Sequence, residues 1–79
     1  MAVRILVVDD TDLNLKMVSA ILGKDGYEIV TARNGFEALE VIKTSPPALA
    51  ILDVMMPDMD GYTLCGHLRK IPSTAKIPI

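Results

Sequence analysis

The sequence predicts an α/β fold in which a doubly wound, parallel β-sheet carries helices on its faces. Three short runs, at residues 4–8, 27–31 and 48–53, have the composition of strands. The first, Arg-Ile-Leu-Val-Val, shows no polar alternation, which is typical of a strand buried on both faces of a parallel sheet. Stretches with apolar residues at helical spacing follow these runs, so the element order is β-α-β-α-β-α. Short links and right-handed crossovers then favour the strand order 2-1-3.

The first helix is predicted to begin at Thr11 or Asp12, either of which could cap it, and to run to about Lys24. Gly26 lies just past its end, where glycine favours a left-handed C-terminal stop. The apolar residues of this helix form one stripe at helical spacing, which we interpret as its buried face. They are Leu13, Met17 and Ile21, with Val18 and Leu22.

The second helix is predicted from Asn34-Gly-Phe-Glu37, which resembles a capping box with asparagine in the cap position. Pro46-Pro47 end this helix, because proline cannot continue the hydrogen-bond ladder. The residues predicted to form its buried face are Phe36, Leu39 and Ile42.

The third helix is predicted to be capped by Asp58 or Asp60, to run to about Lys70 and to be broken by Pro72. Its inward-facing residues are predicted to be Leu64, Leu68 and Ile71. The segment that ends in Ile77-Pro78-Ile79 is extended and predicts a stub of a fourth strand. The 79 residues are enough for at most one small domain, which we place at 1–79.

Charge and composition exclude several classes of function. The net charge of −2 comes without a cluster of Lys or Arg, so the chain has no electrostatic footprint for nucleic acid. The apolar runs are too short to span a bilayer, and no signal peptide precedes the first strand. Cys65 is the only cysteine, which fits a reducing compartment. We therefore expect a cytoplasmic protein that binds neither nucleic acid nor membrane.

Carboxylates follow two of the predicted strands. Asp9 and Asp10 end the first strand and Asp53 ends the third, and ligands of open α/β sheets bind beyond such strand ends, where the strand order reverses. These carboxylates would repel one another unless a cation neutralised them, and oxygen ligands with room for water suit Mg²⁺. A carboxylate beside Mg²⁺ can also attack phosphorus and form an acyl phosphate. The remaining acidic residues of interest are interpreted as turn formers or helix caps: Asp12, Asp25, Asp58 and Asp60.

The chain also resembles the receiver domains of two-component response regulators, which have a flavodoxin-like fold. The resemblance covers essentially all 79 residues and is carried by Ile5-Leu-Val-Val-Asp9-Asp10, Gly26-Tyr-Glu28, Ala32-Arg-Asn-Gly35-Phe-Glu-Ala38-Leu39 and Asp53-Val-Met-Met-Pro57-Asp-Met-Asp-Gly61. It implies that Asp53 accepts a phosphoryl group from a histidine kinase or a histidine phosphotransfer protein. It also implies that Asp10, Asp53 and the backbone carbonyl of Met55 ligate Mg²⁺, while Asp9 acts partly through water.

The chain departs from the receiver pattern at its C-terminus. Receivers continue through a fourth strand ending in Ser or Thr and a fifth strand followed by Lys, whereas this sequence ends inside the fourth strand. Thr74 does not match the switch hydroxyl and Lys76 does not match the phosphate-binding lysine. We therefore expect phosphoryl transfer to be impaired in this chain by itself. We also expect an exposed edge on the third strand, which would lead to self-association or partial disorder.

Two alternatives to a phospho-acceptor module remain open. One is a truncated interaction or dimerisation module without phosphoryl chemistry. The other is an Mg²⁺-dependent phosphatase that works through an aspartyl phosphate. Such enzymes usually need a second acid two residues after the nucleophile, and Met55 occupies that position here. The sequence therefore favours a binding switch over an enzyme.

Overall fold

The computed structural model of the protein describes residues 3–53, 59–76 and 79. The elements are β1 (Arg4–Val8), α1 (Asp12–Gly23), β2 (Glu28–Ala32), α2 (Gly35–Thr44), β3 (Leu49–Leu52) and α3 (Gly61–Lys70). The strands form one parallel sheet in the order β2-β1-β3. The predicted α/β class and strand order are confirmed.

β1 is the central strand, and the register of its neighbours aligns the carboxyl ends of the sheet. Val8 is paired with Ala32 on one side and with Leu52 on the other. Beyond these pairs the backbone N–H of Asp9 donates to the carbonyl of Ala32 at 3.1 Å, and that of Asp53 donates to Val8 at 2.9 Å. The residues that follow β1 and β3 therefore begin at the same edge.

The sheet is covered on both faces, as the unbroken apolar sequence of β1 predicts. On one face, Leu6 and Val8 pack in a core that includes Ile42 of α2 and Leu64 and Leu68 of α3. A smaller core lies on the other face, where α1 covers β1. Its members are Ile5, Val7 and Leu15, with the partly buried Val18, Leu22, Ile29 and Leu49 packed against them. The arrangement is a doubly wound sheet.

The buried face of α1 differs from the prediction. Leu13, Met17 and Ile21 are 68%, 53% and 62% exposed, whereas Leu15 is buried. The helix has two apolar stripes at helical spacing, and the sheet accepts the one that contains Leu15 together with the partly buried Val18 and Leu22. The assignment of Leu13, Met17 and Ile21 to the core was wrong.

One residue of α2 was also misplaced. Phe36 is 59% exposed, although Ile42 is buried and Leu39 packs against the core as predicted. The small side chain of Ala38 is fully buried instead, and it brings the helix close to the sheet. In α3 the predicted burial of Leu64 and Leu68 is confirmed, and Ile71 is partly buried just past the end of the helix.

Side-chain caps fix the starts of two helices. The Oδ1 atom of Asn34 accepts from the backbone N–H of Glu37 at 2.8 Å, and Glu37 accepts in turn from the N–H of Arg33 at 3.3 Å. This pair is close to the predicted capping box. Asp60 caps α3 by accepting from the N–H of Thr63 at 2.7 Å. Thr11 precedes α1 but makes no side-chain cap bond.

The segment after α3 turns back against the end of that helix. The hydroxyl of Thr74 is fully buried and donates to the carbonyl of Leu68 at 2.6 Å. Residues 77–78 of the predicted fourth-strand stub lie outside the described residues. In the described part of the chain β3 pairs with β1 alone, so self-association through its outer edge stays a prediction. Within the same part, none of the helices has the length and apolar character that crossing a membrane requires.

Candidate metal centre

The predicted carboxylates meet at the carboxyl end of the sheet. Asp9 and Asp10 follow β1, and Asp53 follows the neighbouring β3. Each of the three offers one carboxylate oxygen, and these oxygens lie within 4.8 Å of one another. Asp9 and Asp53 are half-buried and Asp10 is exposed. The parallel register of the two strands therefore creates a concentrated negative charge that solvent can reach.

Asp9 is held at both of its oxygens. The backbone N–H of Thr11 donates to Oδ1 at 2.9 Å, and the side-chain amide of Asn14 donates to Oδ2 at 3.2 Å. Asp10 has a looser contact, because the Thr11 hydroxyl lies 3.5 Å from its Oδ1. Asp9 is thus held by the start of α1, whereas Asp10 is exposed and more loosely held.

The donor set fits a hard divalent cation. All three side chains supply carboxylate oxygen, and the exposure of Asp10 leaves room for water on the ion, as Mg²⁺ requires. Within residues 3–53 and 59–76, the ion pairs join basic groups to carboxylates other than Asp9 and Asp10. A bound cation would therefore relieve the repulsion within the cluster. Met55, whose carbonyl the resemblance adds as a ligand, lies outside the described residues.

The other acidic residues have separate structural tasks. Asp12 forms an exposed ion pair with Arg33 at 3.1 Å, which links the first turn of α1 to the segment after β2. The Thr63 backbone N–H that Asp60 caps holds the pKa of Asp60 below its ordinary value of 3.8. Asp58 lies outside the described residues. Their interpretation as caps and turn residues holds for Asp60, which caps α3.

Sequence reasoning missed Asn14. It stands in the first turn of α1, five residues after Asp9, and its side chain turns back to the strand end. The signal was available in its residue type, because asparagine is a poor helix former that favours local hydrogen bonds. An asparagine within a helix that follows a strand-end carboxylate is therefore a candidate partner for that carboxylate.

Thr74 and Lys76, which do not match the switch hydroxyl and the phosphate-binding lysine of receivers, have other surroundings. The hydroxyl of Thr74 donates to the carbonyl of Leu68, and a second carbonyl, that of Ile71, lies 3.4 Å away. Thr74 therefore secures the end of α3. Lys76 is exposed in the turn that follows.

Comparison with known proteins identifies the class to which this fold and cluster belong. The sequence model of the response regulator receiver domain matches residues 5–79. The chain therefore belongs to the family of response regulator receiver domains of two-component signal transduction.

The chain is also similar in sequence to individual regulatory proteins. The chain is 44% identical over 79 residues to the response regulator PleD of Caulobacter vibrioides and covers 100% of its own length and 17% of PleD. It is 42% identical over 78 residues to the chemotaxis protein CheY of Bacillus subtilis and covers 98% of its own length and 65% of CheY. The chain thus spans only part of the length of these relatives.

Solved structures show the same architecture. The chemotaxis protein CheY4 of Vibrio cholerae superposes with a TM-score of 0.97 at 34% identity, over 100% of this chain and 66% of that one. The response regulator TrrA of Thermotoga maritima, solved in complex with Mg²⁺-BeF, gives a TM-score of 0.82 at 43% identity. That match covers 86% of this chain and 59% of TrrA. The likeness establishes the flavodoxin-like fold of receiver domains.

Proposed function

We propose that the protein is a phospho-acceptor module of a two-component phosphorelay, in which Asp53 accepts a phosphoryl group in the presence of Mg²⁺. The observation that carries this proposal is the convergence of three carboxylate oxygens within 4.8 Å at the carboxyl edge of a receiver fold. The structure of TrrA with Mg²⁺-BeF supports it by similarity.

Asp53 is the proposed nucleophile because it follows β3 and faces the acidic pair that follows β1. Its Oδ atom would attack the phosphorus of a phosphohistidine, forming an O–P bond as the N–P bond breaks and the electron pair leaves with the imidazole nitrogen. Asp10, Asp53 and the backbone carbonyl of Met55 would hold Mg²⁺, and Asp9 would act partly through water. The ion supplies charge balance for the oxygens of the transferring group.

The proposed partner is a histidine kinase or a histidine phosphotransfer protein. Support comes from a similar structure, the receiver domain of a signal transduction histidine kinase from Syntrophus aciditrophicus, with a TM-score of 0.90 at 40% identity. The hybrid signal transduction protein dokA of Dictyostelium discoideum is 46% identical over 76 residues. The lone Cys65 supports a reducing, cytoplasmic setting for this exchange.

Small-molecule phosphodonor labelling, with and without Mg²⁺, tests this function and separates it from its alternatives. We expect labelling with acetyl phosphate that depends on Mg²⁺, is lost on chelation and is incomplete, in line with the impaired transfer that the sequence predicts. Continuous release of phosphate over many turnovers would instead indicate a phosphatase. Mg²⁺ binding without any labelling, by acetyl phosphate or by a cognate kinase, would leave an interaction module and contradict the proposal.

A further inference from the structure

Asn14 connects α1 to the carboxylate cluster. It is half-buried in the first turn of the helix, and its Nδ2 atom donates to Oδ2 of Asp9 at 3.2 Å. The other oxygen of Asp9 accepts from the backbone N–H of Thr11 at 2.9 Å. Two donors at the start of one helix therefore form hydrogen bonds to both oxygens of the Asp9 carboxylate.

This double contact fixes the plane of the Asp9 carboxylate without saturating it. An ionised carboxylate has about four lone-pair sites, and the two contacts occupy one on each oxygen. Within residues 3–53 and 59–76 Asp9 accepts these two hydrogen bonds, so one site on each oxygen remains for a water molecule or a cation. Among the described residues Asp10 has weaker support, since its side-chain contact there is the Thr11 hydroxyl at 3.5 Å.

We propose that Asn14 is a positioning residue of the metal centre, which orients Asp9 so that its free lone pairs face the cation or a water bound to it. The inference rests on the proposed Mg²⁺ site and adds a residue to it. Hydrogen-bond partners of this kind orient metal ligands, and their loss typically weakens metal affinity by about 10- to 100-fold.

The variant Asn14→Leu separates positioning from folding. Leucine has the same branching and the same number of side-chain heavy atoms as asparagine and is the better helix former, so α1 does not weaken on that account. Water can replace the lost donor because Asp9 is only half-buried. We therefore expect little change in the melting temperature without metal, but Mg²⁺ affinity about 10-fold lower by calorimetric titration. Ser19→Ala, which removes a half-buried polar group from the same helix, is the matched control.

The wild-type protein provides a second measurement that needs no variant. The chain has two side-chain amides, those of Asn14 and Asn34, because it contains no glutamine. Asn34 uses its Oδ1 atom to cap α2. In an NMR titration the Asn14 amide should shift with the same midpoint as the calorimetric binding curve, and it should shift more than the Asn34 amide.

Each result has a definite meaning. Weaker Mg²⁺ binding by Asn14→Leu, normal binding by Ser19→Ala and a titrating Asn14 amide support the positioning role. Wild-type Mg²⁺ binding with an unchanged affinity in Asn14→Leu, or with an Asn14 amide that does not respond, overturns it while leaving the proposed function intact. Failure of the wild-type protein to bind Mg²⁺ refutes the proposed metal centre, and this inference with it.

Discussion

The backbone N–H of Asp53 donates to the carbonyl of Val8 at 2.9 Å, so a bond that joins the end of β3 to β1 lies directly beside the acidic cluster. Val8 precedes Asp9 and Asp10, and this bond therefore brings the two acidic strand ends together. The separation of the carboxylates is set by the backbone of the sheet. Substitutions of the side chains should change the chemistry of the site while the strand pairing stays intact.

Divalent-metal affinity should depend on Asp10 more than on an acidic residue outside the cluster. Asp10→Ala removes a proposed ligand, and we expect Mg²⁺ affinity to fall on the order of tenfold or more, since ligand charge tunes such sites. Asp25→Ala makes the same change of charge in the exposed turn after α1 and should have little effect. Isothermal titration at fixed ionic strength gives both constants. Equal losses would contradict the assigned geometry.

Truncation of two residues on α1 should lower stability by very different amounts. Leu15→Ala should lower the free energy of unfolding by about 2–5 kcal/mol, because Leu15 is buried against β1. Leu13→Ala should change it by less than about 0.5 kcal/mol, because Leu13 is 68% exposed. Urea unfolding measures both values. A larger loss at Leu13 than at Leu15 would show that α1 is rotated from the orientation described.

This pair also marks the limit of what the sequence could predict. Helical spacing identified α1 but offered two apolar stripes, and only the contact with β1 selects the one that contains Leu15. Strand order and the meeting of Asp9 with Asp53 were predictable, because parallel strands end at one edge and crossovers have one hand. The cap of α2 was also predictable, because its two hydrogen bonds join residues only three or four positions apart: Asn34 with Glu37, and Arg33 with Glu37.

The missed contacts depend on how a helix end meets other segments. The hydrogen bond from Asn14 to Asp9 could be predicted only if the direction of α1 relative to β1 were known. The burial of Thr74 requires the chain to fold back onto the carbonyl of Leu68. Periodicity carries no information about either, because each involves a polar side chain at a single position.

Two glycine substitutions should change stability with opposite sign. A Cβ atom at Gly35 would overlap the side chain of Met59, with 2.9 Å to its Cβ, so Gly35→Ala should cost about 1–3 kcal/mol. Gly66 lies in α3, and a Cβ atom at this position would have no neighbouring atom of the described residues within 4 Å. Gly66→Ala should therefore stabilise the protein by up to about 1 kcal/mol. Chemical unfolding of both variants is the measurement. Stabilisation by Gly35→Ala would refute the close contact between α2 and Met59.

The cap of α3 should make stability depend on pH in the acid range. The Thr63 N–H lowers the pKa of Asp60 below 3.8, so the ionised form stabilises the folded state. That contribution is fully present above the unfolded value of 3.8 and is lost as the pH falls through the folded pKa. Asp60→Asn keeps a capping oxygen but does not titrate. The difference in unfolding free energy between wild type and variant should shrink below pH 3.8, and a difference that grows there would contradict the cap.

The central claim, that Asp53 is the phosphoryl acceptor, is tested most directly by mapping the modification. The protein, Asp53→Asn and the control Asp25→Asn would be incubated with acetyl phosphate and Mg²⁺, then examined by intact-mass and peptide mass spectrometry. We predict partial labelling, with the phosphoryl group mapped to the Asp53 peptide, in the wild type and in Asp25→Asn, and none in Asp53→Asn. Labelling of Asp53→Asn at the wild-type level, mapped to another residue, would contradict the assignment.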